Sequence, residues 1–171
     1  MGGKLDTFLQ SLAGSGLSMW IDRAGWFYPG ILIVHGLGMC VMAGLTCMIG
    51  LRLFGFPRQI PMVVYEETLP WLIGAFLINA ASGLLLFIHD AYQLFHNVAY
   101  DLKMISLFIG LGVTWLLYRD VLGPAAALEA TGASYVAGRR DKAVGLAAVA
   151  IWWFAVIASG RFIAYLTPPP T

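Results

Sequence analysis

Hydrophobic residues in this chain are gathered into four long runs separated by short polar segments. The runs cover residues 26–54, 69–91, 101–122 and 143–166. About 20 apolar residues in succession are enough for a helix to cross the hydrocarbon region of a bilayer. The pattern therefore predicts an all-α fold, a four-transmembrane-helix bundle in which residues 1–171 form one integral membrane domain.

The segment before the first run has a different pattern. Apolar residues of segment 4–22 recur at helical spacing among polar ones, and Gly14 and Gly16 interrupt it. Such a segment is typical of one or two short amphipathic helices lying at the bilayer interface. The first run starts at residue 26 and is longer than the apolar core of a signal peptide, so we expect the N-terminal segment to stay attached.

Composition restricts the classes of function. The chain is 60% hydrophobic and 11% charged, with a mean hydropathy of +0.80, which excludes an ordinary soluble domain. A net charge of +1 offers no basic surface, so no nucleic-acid partner is expected. The sequence contains no phosphate-binding glycine loop, HExxH motif, CxxC pair or Gly-x-Ser-x-Gly elbow. Cys40 and Cys47 lie two helical turns apart, too far for a mutual disulfide.

Basic residues are unequally distributed between the two sides of the predicted bundle. The segments after runs one and three hold Arg52, Arg58, Arg119, Arg139, Arg140 and Lys142. The opposite side holds Lys4, Arg23 and Lys103. Because cytoplasmic loops carry the excess of Lys and Arg, we expect both termini on the outer, periplasmic side of a bacterial inner membrane.

Ionisable residues gather in the predicted outer half of the bundle. His35 lies nine residues into the first run, about 13 Å deep at 1.5 Å per residue. His89 ends the second run and His96 follows it, while Lys103 opens the third and Arg161 lies near the outer end of the fourth. Ionisable groups at real depth are costly and are expected to face the bundle interior. His35 is therefore the strongest functional candidate.

A b-type heme is one group that would use such a cluster. It needs an inward imidazole, small residues where the macrocycle meets backbone, and cations for its propionates. We expect His35 to be an axial ligand and Gly38 to lie against the macrocycle. The other predicted heme-site residues are, as second ligand, His89 or else His96, and, for the propionates, Lys103 and Arg161. The predicted role is electron transfer to or from a quinone or a partner membrane complex.

Two other interpretations stay open. Soft sulfur with imidazole is what Cu(I) prefers, so His35, Met39 and Cys40 of the first run are an alternative copper site. Alternatively, the chain binds no cofactor and is an accessory subunit, or a homo-oligomer, that packs through its glycine-rich helix faces. In that case His35 only forms a hydrogen bond to a neighbouring helix, as Asn79 in the middle of the second run is expected to do.

Three motifs carry a resemblance that extends over nearly the whole chain. They are VHGLGMCVMAGLTCMIGLRLFG in the first run, SGLLLF in the second, and GRFIAY at the end of the fourth. Together they resemble an uncharacterised family of bacterial four-helix integral membrane proteins. More remotely, the chain is similar to CopD-like copper-resistance membrane domains and to HemJ-type protoporphyrinogen oxidase. The HemJ resemblance implies a heme-handling histidine on an early helix and a required lysine opening a later one, for which His35 and Lys103 are the matching residues.

Overall fold

The computed structural model describes residues 2–166, of which positions 2 and 164 are described by their backbone alone. Over this range the chain forms ten α-helices, two π-helical segments and no β-strand, which confirms the all-α class. In chain order they are α1 (Gly2–Ala13), α2 (Gly16–Arg23), α3 (Phe27–Leu53), α4 (Met62–Glu66), α5 (Leu69–His89), α6 (Ala91–Phe95), α7 (Val98–Leu116), π1 (Leu117–Leu122), α8 (Gly123–Ala130), α9 (Arg139–Ala150), π2 (Ile151–Ile157) and α10 (Ala158–Leu166).

Four helical stretches in the described range are long and apolar enough to cross a membrane, as the sequence predicts. We call them spans 1 to 4, and they cover Phe27–Leu53, Met62–His89, Val98–Ala130 and Arg139–Ile163. Span 1 is α3, and span 2 runs from α4 through α5. Span 3 runs through α7, π1 and α8, and span 4 runs from α9 through π2 into α10.

The helical stretches differ from the predicted runs mainly in extent. Span 2 begins at Met62 instead of residue 69, and Pro70 is tolerated because a missing N–H in the first turn of α5 costs no helical hydrogen bond. Span 3 continues past residue 122 because α8 packs against α4, and the charges within the span satisfy each other. Arg119 Nε donates to Asp120 Oδ1 at 2.6 Å, and Arg140 Nη2 of span 4 donates to Asp120 Oδ2 at 3.1 Å.

The spans alternate in direction, so each end of the bundle collects different connections. Spans 1 and 3 begin, and spans 2 and 4 end, at what we call the terminal end, which also carries α1, α2 and α6. The opposite end, which we call the loop end, carries connections 54–61 and 131–138. Helix α3 packs along α5 and against α9, while α7 packs against π2 and α10.

The apolar core is concentrated in the middle and at the loop end of the bundle. A central cluster contains Met42, Ala75 and Trp152, and Trp152 Nε1 donates to the buried Thr114 Oγ1 at 2.9 Å. The larger cluster, at the loop end, joins all four spans through Ile49, Leu53, Met62, Tyr65, Leu72, Leu117, Tyr118, Val121, Leu122, Ala125, Ala126 and Ala148.

A buried ion pair between Arg52 and Glu129 joins three of the spans at the loop end. The Arg52 side chain is buried, its Nε donates to the Ile60 carbonyl at 2.9 Å, and its Nη2 lies 3.1 Å from Glu129 Oε1. The other carboxylate oxygen of Glu129 accepts the Met62 backbone N–H at 2.6 Å. One guanidinium and one carboxylate therefore join the end of span 1, the start of span 2 and the end of span 3.

Helices α3 and α9 cross closely at Gly50 and Gly145. A Cβ atom at Gly50 would lie 2.8 Å from the Val149 Cγ2 methyl, and one at Gly145 would lie 2.6 Å from Leu53 Cδ1. Valine has a restricted side-chain torsion in a helix, so the Val149 methyl has little freedom to move away. The two glycines therefore set the distance between spans 1 and 4.

We expect Gly50→Ala to destabilise the protein by about 1–3 kcal/mol, the usual cost of overpacking a tight contact. The control is Gly44→Ala on the same helix, where an added Cβ would meet nothing within 4 Å. That change is expected to be neutral or slightly stabilising, because alanine favours helix over glycine. Thermal unfolding of both variants in mild detergent, followed by circular dichroism, measures the difference. Equal unfolding midpoints would contradict the close crossing.

The two helices before span 1 cover part of the terminal end. Helix α2 is capped by Ser15, whose side chain accepts the Ser18 N–H at 3.3 Å, and Ile21 is fully buried. Helix α1 packs against α6 and α5, and α2 against α3 and α5. The predicted amphipathic segment 4–22 is thus two helices, each presenting part of its surface to the bundle.

Candidate functional site

His35 is a buried imidazole with partners on both ring nitrogens. It lies on α3 with 8% of its surface exposed. Its Nδ1 is 3.0 Å from the Asn79 carbonyl oxygen and 3.1 Å from Ser82 Oγ, both on α5. A carbonyl can only accept a hydrogen bond, so in this geometry Nδ1 carries the proton and donates it. The other nitrogen, Nε2, is then left with a lone pair.

That lone pair faces Lys103. The Nζ atom of Lys103, on α7, lies 3.1 Å from His35 Nε2 and is the donor in this pair. Gly160 of α10 borders the amine closely, since a Cβ at that position would lie 3.6 Å from Nζ. The His35 cluster, which we define as His35, Asn79, Ser82, Lys103 and Gly160, thus draws on all four spans.

Small residues bring α5 close enough to fix the imidazole. A Cβ at Gly83 would lie 3.0 Å from His35 Cε1, so the ring packs directly on the α5 backbone. A Cβ at Gly38 would lie 3.0 Å from Asn79 Cβ and 3.1 Å from the Ala75 carbonyl. Gly38 therefore lies at the contact between α3 and α5, and its position against a macrocycle stays a prediction.

Asn79 and Ser82 complete the support of the histidine. Asn79 Nδ2 donates to the His35 backbone carbonyl at 2.7 Å, as expected of a polar group bonding across a helix interface. Ser82 Oγ also lies 2.8 Å from the Ile78 carbonyl and 3.0 Å from that of Asn79. Neither residue is among those predicted for the heme site. Their three-residue spacing on an apolar span places them on one face, and this was the available signal.

At the terminal half, two helix pairs are joined mainly by side chains. Helices α3 and α5 pack on each other, as do α7 and α10, but backbones of the first pair rarely come close to those of the second. The two helix pairs are joined by the His35–Lys103 contact and by Phe87 and Tyr100, whose rings stack with centroids 5.7 Å apart. Side-chain bridges of this kind can rearrange more readily than a packed helix interface.

His89 belongs to a different group of side chains. Its Nε2 lies 2.8 Å from Asp22 Oδ1 on α2, and its Nδ1 lies 3.0 Å from Asp90 Oδ1 without hydrogen-bond geometry. Its ring packs against Tyr28, with centroids 4.8 Å apart. Tyr28 precedes His35 by seven residues, which is about 10 Å along α3. The structure therefore does not bring His89 and His35 together as a ligand pair.

The structure shows no contact between His35 and either His96 or Arg161 among the described residues. Helix α5 ends at His89 and a separate helix α6 follows, so His96 is not on a continuation of the same helix. His96 is exposed, with Nδ1 2.9 Å from the Tyr92 carbonyl and Nε2 3.5 Å from Asp6 Oδ1. Arg161 is exposed on α10. Of the two predicted propionate cations, Lys103 is the one that contacts His35.

The alternative copper residues do not converge in the described structure. Met39 is half-buried against the central apolar cluster, whereas Cys40 is exposed. His35 and Cys40 are five residues apart, which separates their directions by about 140° on a helix. Within residues 2–166, no three His, Cys, Asp or Glu side chains are grouped closely enough to hold a metal ion.

Comparison with known proteins adds no family to this geometry. No family model matches the chain, and no curated protein or solved structure shows significant similarity to it. The resemblance seen in the three motifs therefore stays a prediction. The His35 cluster is the basis for the function proposed below.

Proposed function

We propose that this protein binds one b-type heme through His35 Nε2 and passes electrons to or from a quinone or a partner membrane complex. The observation that carries the proposal is the hydrogen bond from His35 Nδ1 to the Asn79 carbonyl, 3.0 Å long. It fixes the tautomer in which Nε2 is the unprotonated nitrogen. Histidines that ligate metals typically donate their other N–H to a carbonyl or carboxylate in this way.

The surroundings of His35 fit an axial ligand in three respects. Ser82 and the bare backbone at Gly83 hold the ring in one orientation, so little ordering is required when iron binds. The imidazole is buried, and shielding from water is one of the means by which proteins tune a heme. Nε2 lies between two helix pairs that are joined at this level by side chains rather than by packed backbones.

Lys103 would have to leave Nε2 for iron to bind there. Its long flexible side chain and its ammonium donors suit it to pair instead with a heme propionate. His35 would then be the one protein ligand, because both nitrogens of His89 already face the carboxylates of Asp22 and Asp90. Bound heme would supply one-electron redox chemistry, for which the chain's own residues provide binding, orientation and a shielded environment.

We also propose an orientation of the bundle in the membrane. Six Lys and Arg residues belong to the segments at the loop end, as counted from the sequence. The excess of positive charge favours the cytoplasmic side for that end. The His35 cluster would then lie in the outer half of a bacterial inner membrane, on the side of both chain termini.

Visible spectroscopy tests the proposal directly. We expect protein purified in mild detergent from heme-replete cells to show a Soret band, sharp α and β bands after dithionite reduction, and near-stoichiometric iron. A colourless, iron-free protein would overturn heme binding. Copper in such a sample would support the alternative site at His35, Met39 and Cys40. The absence of any metal would support the cofactor-free accessory subunit.

A further inference from the structure

We propose that the loop end of the bundle binds the headgroup of an anionic phospholipid. A cavity of about 600 Å³ opens there, between the connection that follows α3 and the irregular segment that follows α8. This cavity lies far along span 1 from His35 and shares none of the residues of the His35 cluster. The inference is therefore independent of heme binding.

The cavity carries uncompensated positive charge. Arg58 and Lys142 line it, and neither has an acidic side chain within salt-bridge distance among the described residues. Arg52 also lines it, but Glu129, another lining residue, neutralises that guanidinium at 3.1 Å. Two cations are left to attract a ligand, and phosphate is the anionic group common in ligands at a membrane surface.

Part of the lining is apolar. Phe54 and Val136 line the cavity and are 55% and 83% exposed, values that leave large apolar surfaces without a partner in the described chain. A ligand that covers both parts has to combine an anionic group with hydrocarbon. A phospholipid satisfies this requirement, whereas free phosphate would leave the apolar surface uncovered.

The depth of the cavity matches the headgroup region. Its lining comes from connections 54–61 and 131–138, the ends of spans 1 and 3, and the first turn of span 4. Span ends lie where the hydrocarbon gives way to headgroups. Basic pockets between transmembrane helices at this level are suited to lipid headgroups.

One wall of the cavity is held in place although it is neither helix nor strand. Tyr135 donates its hydroxyl to Asp141 Oδ2 at 2.7 Å, and the same oxygen accepts the Gly138 N–H at 2.9 Å. Burial, together with the hydrogen bond and charge of Asp141, raises the pKa of Tyr135 above its ordinary value. A tyrosine hydroxyl is neutral at physiological pH even without this shift, so Tyr135 adds no negative charge beside the two cations.

Lipid titration of the purified full chain tests this inference. We expect short-chain phosphatidylglycerol to bind saturably, as counted by native mass spectrometry, and phosphatidylcholine of the same chain length to bind at least about tenfold more weakly. Inorganic phosphate alone is expected to bind far more weakly than phosphatidylglycerol. Equal binding of the two lipids, or phosphate binding as tight as that of phosphatidylglycerol, would overturn a headgroup site for anionic lipid.

Variants locate the site. The double variant Arg58→Gln, Lys142→Gln is expected to weaken phosphatidylglycerol binding about thirtyfold, since each surface cation contributes on the order of a fivefold effect. Arg139→Gln is the matched control, because Arg139 is an exposed residue of the same end that does not line the cavity. Wild-type affinity in the double variant, or an equal loss in the control, would contradict the assignment.

The salt dependence of lipid binding by the wild-type protein tests the inference without relying on the folding of any variant. Raising the salt concentration is expected to weaken phosphatidylglycerol binding and to leave the weaker phosphatidylcholine binding nearly unchanged, because salt screens exposed charges. Salt-independent binding of phosphatidylglycerol would contradict recognition by Arg58 and Lys142.

Discussion

Replacing His35 with alanine is expected to abolish the Soret band of the purified protein while leaving its helical structure intact. The substitution removes Nε2, the proposed iron ligand, and no second histidine lies close enough to replace it in the described structure. The chief hydrogen bond between α3 and α5 survives, because Asn79 donates to the backbone carbonyl of residue 35. Visible spectra, iron content and circular dichroism of the same sample measure the outcome.

Two comparisons separate a lost ligand from a damaged fold. His96→Ala removes an exposed imidazole and is expected to leave the spectrum unchanged. Imidazole added to His35→Ala is expected to restore a heme spectrum when the protein is reconstituted, since the free molecule can occupy the space of the missing ring. A full Soret band in His35→Ala, without added imidazole, would show that iron is held elsewhere.

Replacing Arg52 with alanine is expected to destabilise the protein by about 3 kcal/mol, the usual cost of removing one partner of a buried ion pair. Arg52 is 8% exposed, and its loss would leave the Glu129 carboxylate partly buried without its cation. The Ile60 carbonyl would also lose its donor. Thermal or denaturant unfolding in mild detergent measures the change in stability.

A compensating variant shows whether the unpaired charge is the cause. In Arg52→Met, Glu129→Gln the buried charge is absent, and a glutamine oxygen can still accept the Met62 N–H. Replacing a whole buried pair is often nearly neutral, so we expect much of the stability to return. Arg119→Ala removes an exposed arginine whose partner Asp120 also contacts Arg140; it is the control and should cost far less stability than Arg52→Ala. A double variant no more stable than Arg52→Ala would contradict this account.

The number of spans follows from hydropathy, whereas their ends depend on partners that hydropathy does not include. Residues 26–54 predict span 1 within one residue at each end, because apolar character and helix end together there. Span 3 extends to Ala130, beyond the predicted residue 122, because α8 packs against α4 and Glu129 pairs with Arg52 of span 1. The hydropathy of residues 123–130 does not reveal these partners on other spans.

The site is partly predictable for a similar reason. His35 is identified by its depth in an apolar run. Lys103 is predicted in the same half of the bundle because it lies at the outer start of the third run. Their 3.1 Å contact could not be predicted, because periodicity does not determine the order of helices around the bundle. Likewise, the sequence around His89 does not indicate its contact with Asp22, a residue of α2 whose carboxylate lies 2.8 Å from His89 Nε2.

The π-helical segment π2 determines which side of α10 faces α7. A π-helical turn holds one residue more than an α-helical turn needs, and each residue turns an α-helix by about 100°. Deleting one residue from Ile151–Ile157 would let the segment revert to α-helix with α10 in the same phase, whereas the same residues wound as a regular α-helix would rotate α10 by about 100° relative to α9. A bulkier residue would then replace Gly160 beside the Lys103 amine. The rotation of α10 about its axis, rather than the length of span 4, therefore places a glycine beside the Lys103 amine that contacts His35.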